Sequence, residues 1–255
     1  MINKRIIFSL LYSKGHFFLS RNFRLQKIGD LNWLEKNYSF QETCEHIDEL
    51  TFILVTKNPD EKEINSFFKD IAVIRERIFA PIMIGGSIRS INDVKNCFEN
   101  GADKILINTE ARNKNFINQI SEIYGNQAIT IMIDYKGDNN NVFTESGTKD
   151  INMSVDRLLN EIKVYNFGEI ILHSIDKDGT GNGFDFDLIN NAVNLPNKPI
   201  LLMGGAGTPE HIVEALKNDK VSGAITANLL NFIGEGLKIT RNLAVENKIE
   251  IAKLT

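Results

Sequence analysis

Asp134 closes an apolar run, AITIMIDYKG at residues 128 to 137, and a related stretch, RIIFSLLYSKG, lies at 5 to 15. If the two are copies of one element, Leu11 stands at the position of the acid. A carboxylate at the end of a buried strand can give or take a proton, and a pair of them can hold different protonation states near neutral pH. An aliphatic side chain can do neither. A second kind of chemistry is offered by small and polar steps that follow other apolar runs: Gly85-Gly86-Ser87, Asn108-Thr109, Asp178-Gly179-Thr180, Gly204-Gly205-Ala206-Gly207 and Ala227-Asn228. Glycines let backbone N–H groups approach an anion, and a following helix N-terminus adds partial positive charge. Gly86, Ser87, Asn108 and Thr109 group into one phosphate-sized cup, and Asp178, Gly179, Gly204, Gly205, Ala227 and Asn228 into another. The competing reading of any single step is a tight turn without a ligand.

Such residues must be positioned by a scaffold, and the chain alternates strand-like and helix-like patterns. Apolar runs begin near residues 5, 50, 81, 104, 128, 169, 199 and 223. Residues apolar in succession suit strands buried on both faces, as in a parallel sheet. Between them lie amphipathic patterns such as SINDVKNCFENG and PEHIVEALKN, with Ser90 and Thr208 as N-caps and Gly101, Gly125 and Gly168 as stops. The chain also superposes on itself at about half its length, pairing Glu49 with Glu169 and Ile82 with Leu201. The predicted fold is α/β: a single (β/α)8 TIM barrel over residues 1–255, built of two half-barrels, with its site at the C-terminal strand ends.

Composition narrows the ligand classes. A net charge of −4 leaves no basic field for nucleic acid. Cys44 and Cys97 sit in helix-like contexts without metal-ligand spacing, so both are read as reduced thiols, and no metal or cofactor is assigned. The N-terminal apolar run is too short to span a bilayer and lacks a cleavage pattern, which predicts a cytoplasmic protein with no membrane insertion. His173 is read as a hydrogen-bonded core residue; His16, His46 and His211 as surface residues; Trp33 and the phenylalanines of HFFL and SFFKD as helix-to-barrel packing. GDNNN at 137 to 141 reads as a turn or flexible loop, and the segment from Gly234 to Thr255 is polar with a helical pattern.

Together RIIFSLLYSKG, GGSIRS, GADKILINT, IDYKG, SIDKDGTGNGFD and GGAGTPEH resemble the cyclase subunit of imidazole glycerol phosphate synthase, over residues 1 to about 232. The resemblance implies a barrel that receives ammonia from a partner glutaminase through its centre and joins it to a bisphosphate substrate. It implies catalysis by two carboxylates, of which Asp134 is one and Leu11 marks the lost other. Leu19 in place of a lysine, Ser87 in place of a third glycine and Met203 in place of a serine are further departures. At the opposite end the resemblance implies an ammonia gate of Arg5, Glu49, Lys104 and Glu169, with Asp103 at the glutaminase docking face. A lost acid with an intact gate resembles a paralogous branch associated with acetamidino-sugar modification of bacterial surface polysaccharides, whose members read Leu-Leu where the cyclase reads Leu-Asp. The implied role there is ammonia supply to a separate sugar amidotransferase. The alternatives are an active cyclase of histidine biosynthesis using another acid, and a non-catalytic barrel that binds a phosphorylated small molecule.

Overall fold

The structure, a computed structural model, describes residues 3–38, 40–232 and 234–252. In chain order it contains β1 (Arg5–Ser13), β2 (His16–Arg21), β3 (Arg24–Gly29), α1 (Leu31–Tyr38), α2 (Phe40–Cys44), β4 (Glu49–Leu54), α3 (Glu61–Arg75), β5 (Ile82–Gly85), α4 (Ile91–Glu99) and β6 (Lys104–Ile107). A 3-10 turn (Thr109–Arg112) leads to α5 (Lys114–Tyr124), β7 (Ile129–Lys136), β8 (Asn141–Thr144), β9 (Lys149–Ser154), α6 (Val155–Ile162) and β10 (Glu169–Ser174). Then come α7 (Phe186–Asn191), β11 (Ile200–Met203), α8 (Pro209–Lys217), β12 (Gly223–Thr226), α9 (Leu229–Phe232) and α10 (Gly236–Glu246). Strands β1, β4, β5, β6, β7, β10, β11 and β12 pair in parallel in that order, and β12 returns to β1, which closes the (β/α)8 barrel.

Strand alternation sorts the apolar residues into two cores. Ile6, Phe8 and Leu10 of β1 face the helix layer and belong to the outer core, which also holds Phe67, Ile117 and Leu159. Ile7 and Leu11 face inward, with Ile53, Met83, Leu106, Met132, Ile171, Leu201, Met203 and Ile225. The barrel interior is therefore packed, as expected for eight strands. The predicted caps form: Ser90 makes a reciprocal capping box with Asp93, and Thr208 accepts from the His211 backbone N–H with Pro209 beginning α8.

Each half begins with a strand that runs on into a hairpin. β2 and β3 extend β1, pairing Phe18 with Leu11, and β8 and β9 extend β7, pairing Phe143 with Asp134. These four short strands are absent from the list of apolar runs because they are only partly buried. The phenylalanines of HFFL are accordingly strand residues: Phe17 is buried edge-on against Tyr12 at 5.3 Å, and Phe18 turns toward the inner core. Gly168 precedes β10 and does not end α6, whereas Gly125 caps α5. The C-terminal segment packs beneath the barrel. Arg241 of α10 pairs with Asp48 at 2.9 Å, and Ile251 bridges to Lys4; residues 253 to 255 lie outside the described residues.

Candidate functional site

At the C-terminal strand ends, a cavity of about 160 Å³ opens between the two hairpins. Asp134, on β7, lines it together with Leu11, His173, Asp178 and Met203. The period of two that turns Met132 inward also turns Asp134 inward. Its Oδ1 lies 3.0 Å from Nδ1 of His173 on β10, and its Oδ2 accepts from Asn108 Nδ2 at 3.1 Å. On the other side of the imidazole, Nε2 lies 3.8 Å from Asp178 Oδ1. Asp178 is held by the first hairpin, accepting from the Ser20 hydroxyl at 2.5 Å and from the Phe23 N–H at 3.1 Å. The Phe23 ring covers the imidazole, 4.9 Å between centroids.

His173 is thus hydrogen-bonded, as the sequence predicted, but it sits at the centre of the site. Burial pulls its pKa down, and the carboxylates of Asp134 and Asp178 outweigh this to push it up to about 9. Burial raises Asp178, but His173, Ser20 and the Phe23 N–H hold it below its ordinary value. The folded His173 pKa exceeds the unfolded one, so its stabilisation is complete below pH ~6.5 and is lost as pH rises through about 9. Raising the pH from 7 to 9.5 should cost roughly 2 kcal/mol, read from urea midpoints. His173→Gln should flatten that slope; an unchanged slope would show that another group carries it.

The structure treats the two predicted cups differently. Gly86, Ser87, Asn108 and Thr109 all line the cavity, joined by Lys57 and Arg89. Gly86 and Ser87 have φ of +97° and +55°. The left-handed backbone explains why a third glycine would suit position 87, where serine carries some strain. Of the second cup, Asp178 and Ala227 reach the cavity, while Gly179, Gly204, Gly205 and Asn228 do not line it. The first hairpin packs against two of them: a Cβ on Gly179 would meet Ser20 O at 2.0 Å, and Asn228 Nδ2 donates to Ser20 O at 3.3 Å; Gly204 and Gly205 pack against the Ser174 and Gly183 carbonyls. Leu19, also on this hairpin, lies outside the lining.

At the N-terminal strand ends, the four charged residues meet. Arg5 contacts Glu49 at 2.9 Å and Glu169 at 2.5 Å; Lys104 contacts Glu49 at 2.9 Å and Glu169 at 2.8 Å. Each cation therefore bridges both carboxylates in a closed, charge-balanced ring, which offsets the desolvation of burying it. The carboxylates are not equivalent. Glu169 uses both oxygens and also accepts from Thr130 at 3.1 Å, whereas Glu49 receives both cations on Oε2 and leaves Oε1 without a partner. Burial consequently holds Glu49 above the usual carboxylate range, while for Glu169 burial is outweighed by Arg5 and Lys104, which hold it below. Above the ring, Ser9 and Thr51 are register partners on the inward face, and their hydroxyls have no partner among the described residues. Asp103 is exposed at this end and accepts from the Ile82 N–H at 2.8 Å.

A closed (β/α)8 barrel with a buried charged ring at one end and an acid-bearing cavity at the other belongs to the histidine biosynthesis protein family, whose sequence pattern matches residues 32–235. Within it the chain belongs with the HisF-type subunits of imidazole glycerol phosphate synthase. It is 42% identical over 247 residues (96% of this chain, 91% of the relative) to a protein of Parasynechococcus marenigrum (strain WH8102) provisionally named imidazole glycerol phosphate synthase subunit hisF2. It is 39% identical over 222 residues (85% and 86%) to the subunit HisF of Sulfurisphaera tokodaii, and 32% identical over 256 residues (98% and 100%) to that of Streptococcus mutans serotype c.

The sequence did not single out Phe23, Lys57 or Arg89. Lys57 and Arg89 could have been found by their positions just after β4 and β5; Phe23 had no signal, because its place follows from the hairpin. His16, His46 and His211 are each partly buried, and His211 Nδ1 accepts from Gly207 N–H at 3.3 Å. Cys44 and Cys97 are free thiols on α2 and α4. Among the described residues, no helix is long and apolar enough to cross a membrane.

Proposed function

We propose that this chain is an ammonia-accepting barrel that docks a glutaminase on its N-terminal face and delivers the ammonia for acetamidino-sugar synthesis by a separate amidotransferase, with little or no cyclase chemistry of its own. One observation carries the reading: the ring of Arg5, Glu49, Lys104 and Glu169 is complete, whereas the mouth has Leu11 at the acid position and an Asp134 whose two oxygens are engaged by His173 and Asn108. Position 11 cannot move a proton, and Asp134 held against an imidazolium is a poor base. The ring faces the side from which a glutaminase would deliver ammonia. Beyond it, Glu49 Oε1 and the Ser9 and Thr51 hydroxyls offer hydrogen bonds to a small neutral guest between apolar layers.

The same face carries apolar side chains open to solvent. Phe79 in the α3–β5 connection is fully exposed, and Val164 and Val193 in the α6–β10 and α7–β11 connections are largely so. Exposed aromatics at a docking face anchor association. The wild-type chain should form a one-to-one complex with the glutaminase of its own gene cluster at micromolar concentration. Phe79→Asp should weaken that complex by about tenfold or more while leaving the melting temperature within a few degrees. Size exclusion and titration calorimetry measure both. Absence of any complex with the wild-type chain would remove the docking part of the proposal.

A further inference from the structure

We infer that the barrel mouth takes a ligand with a single anionic group, seated in the cup of Gly86, Ser87, Asn108 and Thr109, whose other end is an uncharged hydrogen-bond acceptor. The half-repeat would make the mouth symmetric, with an anion at each end, and the structure breaks that symmetry. All four residues of the first cup line the cavity, and Lys57 and Arg89 add positive charge there. Glu145 also lines the cavity, but it is partnered by Lys149 at 3.4 Å.

The opposite end is built against one. There the first hairpin fills the space above Gly179, with Ser20 O at 2.0 Å from any Cβ placed on it, and the Asn22 N–H donates to Asp178 O at 2.9 Å. Two carboxylates, Asp134 and Asp178, flank one imidazolium, so this wall carries net charge of about −1 and repels a second phosphate. His173 Nε2 supplies the independent sign of an occupant. The side chain is buried and lines the cavity, and its Nε2 makes no hydrogen bond among the described residues, Asp178 Oδ1 lying 3.8 Å away, beyond hydrogen-bond reach. Leaving such a donor unpaired is unfavourable, and a carbonyl or hydroxyl oxygen of a ligand would satisfy it without meeting charge repulsion. This inference concerns the mouth alone, so it stands or falls separately from glutaminase docking and ammonia passage.

The test is calorimetric titration of the full chain with fructose 6-phosphate and fructose 1,6-bisphosphate, one skeleton with one and two phosphates. The expected result is saturable one-to-one binding of fructose 6-phosphate, with the bisphosphate no more than about twofold tighter, the statistical factor for two equivalent ends. Ser87→Asp, which sets a carboxylate in the cup at a φ that Asp tolerates, should abolish binding. If that variant does not fold, Arg89→Glu on the exposed rim should weaken binding about tenfold. Bisphosphate binding at least tenfold tighter would overturn the inference. So would failure of fructose 6-phosphate to bind, or binding that both variants leave unchanged.

Discussion

Given ammonium salt and the bisphosphate substrate of imidazole glycerol phosphate synthase, this chain should turn over at least about 100-fold more slowly than a subunit with aspartate at the strand-one position, because a positioned proton donor or acceptor contributes about 10² to 10⁴-fold. Leu11 lines the cavity at that position and offers only methyl groups. Restoring the acid alone should not restore the rate. In Leu11→Asp, His173 still engages Asp134 at 3.0 Å, Met203 still lines the mouth, and the first hairpin still packs against Gly179 and Asn228. The double change Leu11→Asp with His173→Thr should recover more activity than Leu11→Asp, since it frees one oxygen of Asp134. Near-normal turnover by the unaltered chain, followed by ammonia-dependent product formation, would contradict the proposed loss of cyclase chemistry.

The second large effect concerns the ring. Glu169→Leu should destabilise the barrel by about 3 to 5 kcal/mol, the range for removing one partner from a buried ion pair. The loss should exceed that of Glu49→Gln. Glu169 accepts from Arg5, Lys104 and Thr130 through both oxygens, and its removal leaves Arg5 and Lys104 facing each other with one carboxylate between them. Glu49 loads both cations onto one oxygen, and its Oε1 has no partner among the described residues. A glutamine there presents a similar shape and keeps an oxygen for one of the cations. Urea unfolding near pH 7 decides the order. Equal losses would show that the asymmetry of the ring has no energetic weight.

The barrel was legible in the sequence because each of its eight strands is apolar on successive residues and each half repeats the same strand, glycine step and helix. The ring was legible only through the family resemblance, since Arg5 and Lys104 are ordinary strand-end charges until the fold brings them to two glutamates. The hairpins escaped notice. Leu25 is exposed and Lys27 polar, so β3 shows no buried face, and the left-handed residues Asn22 and Phe23 at its turn are not glycines. That omission hid the greatest difference between the two ends of the mouth, because Ser20, Asn22 and Phe23 engage Asp178 from the hairpin. His173 was visible as a lone histidine, but its charge depends on two aspartates, one of them on another strand and the other four residues beyond β10, and no local pattern reports that meeting.

The most direct test of ammonia passage follows the nitrogen itself. In a reconstituted mixture of this chain with the proposed glutaminase and sugar amidotransferase partners, amide-¹⁵N glutamine is supplied together with unlabelled ammonium, and the labelled fraction of acetamidino product is measured per glutamate released. Channelling through the ring predicts a product enriched in ¹⁵N well beyond the bulk ammonium pool. It also predicts that Lys104→Met, which removes two of the ring's four ion pairs and so lowers stability, shifts the ratio of labelled product to glutamate at a temperature where the barrel stays folded. A product that carries only the label of the bulk pool, or a ratio unchanged in Lys104→Met while stability falls, would mean that the ring is a plug that closes the barrel.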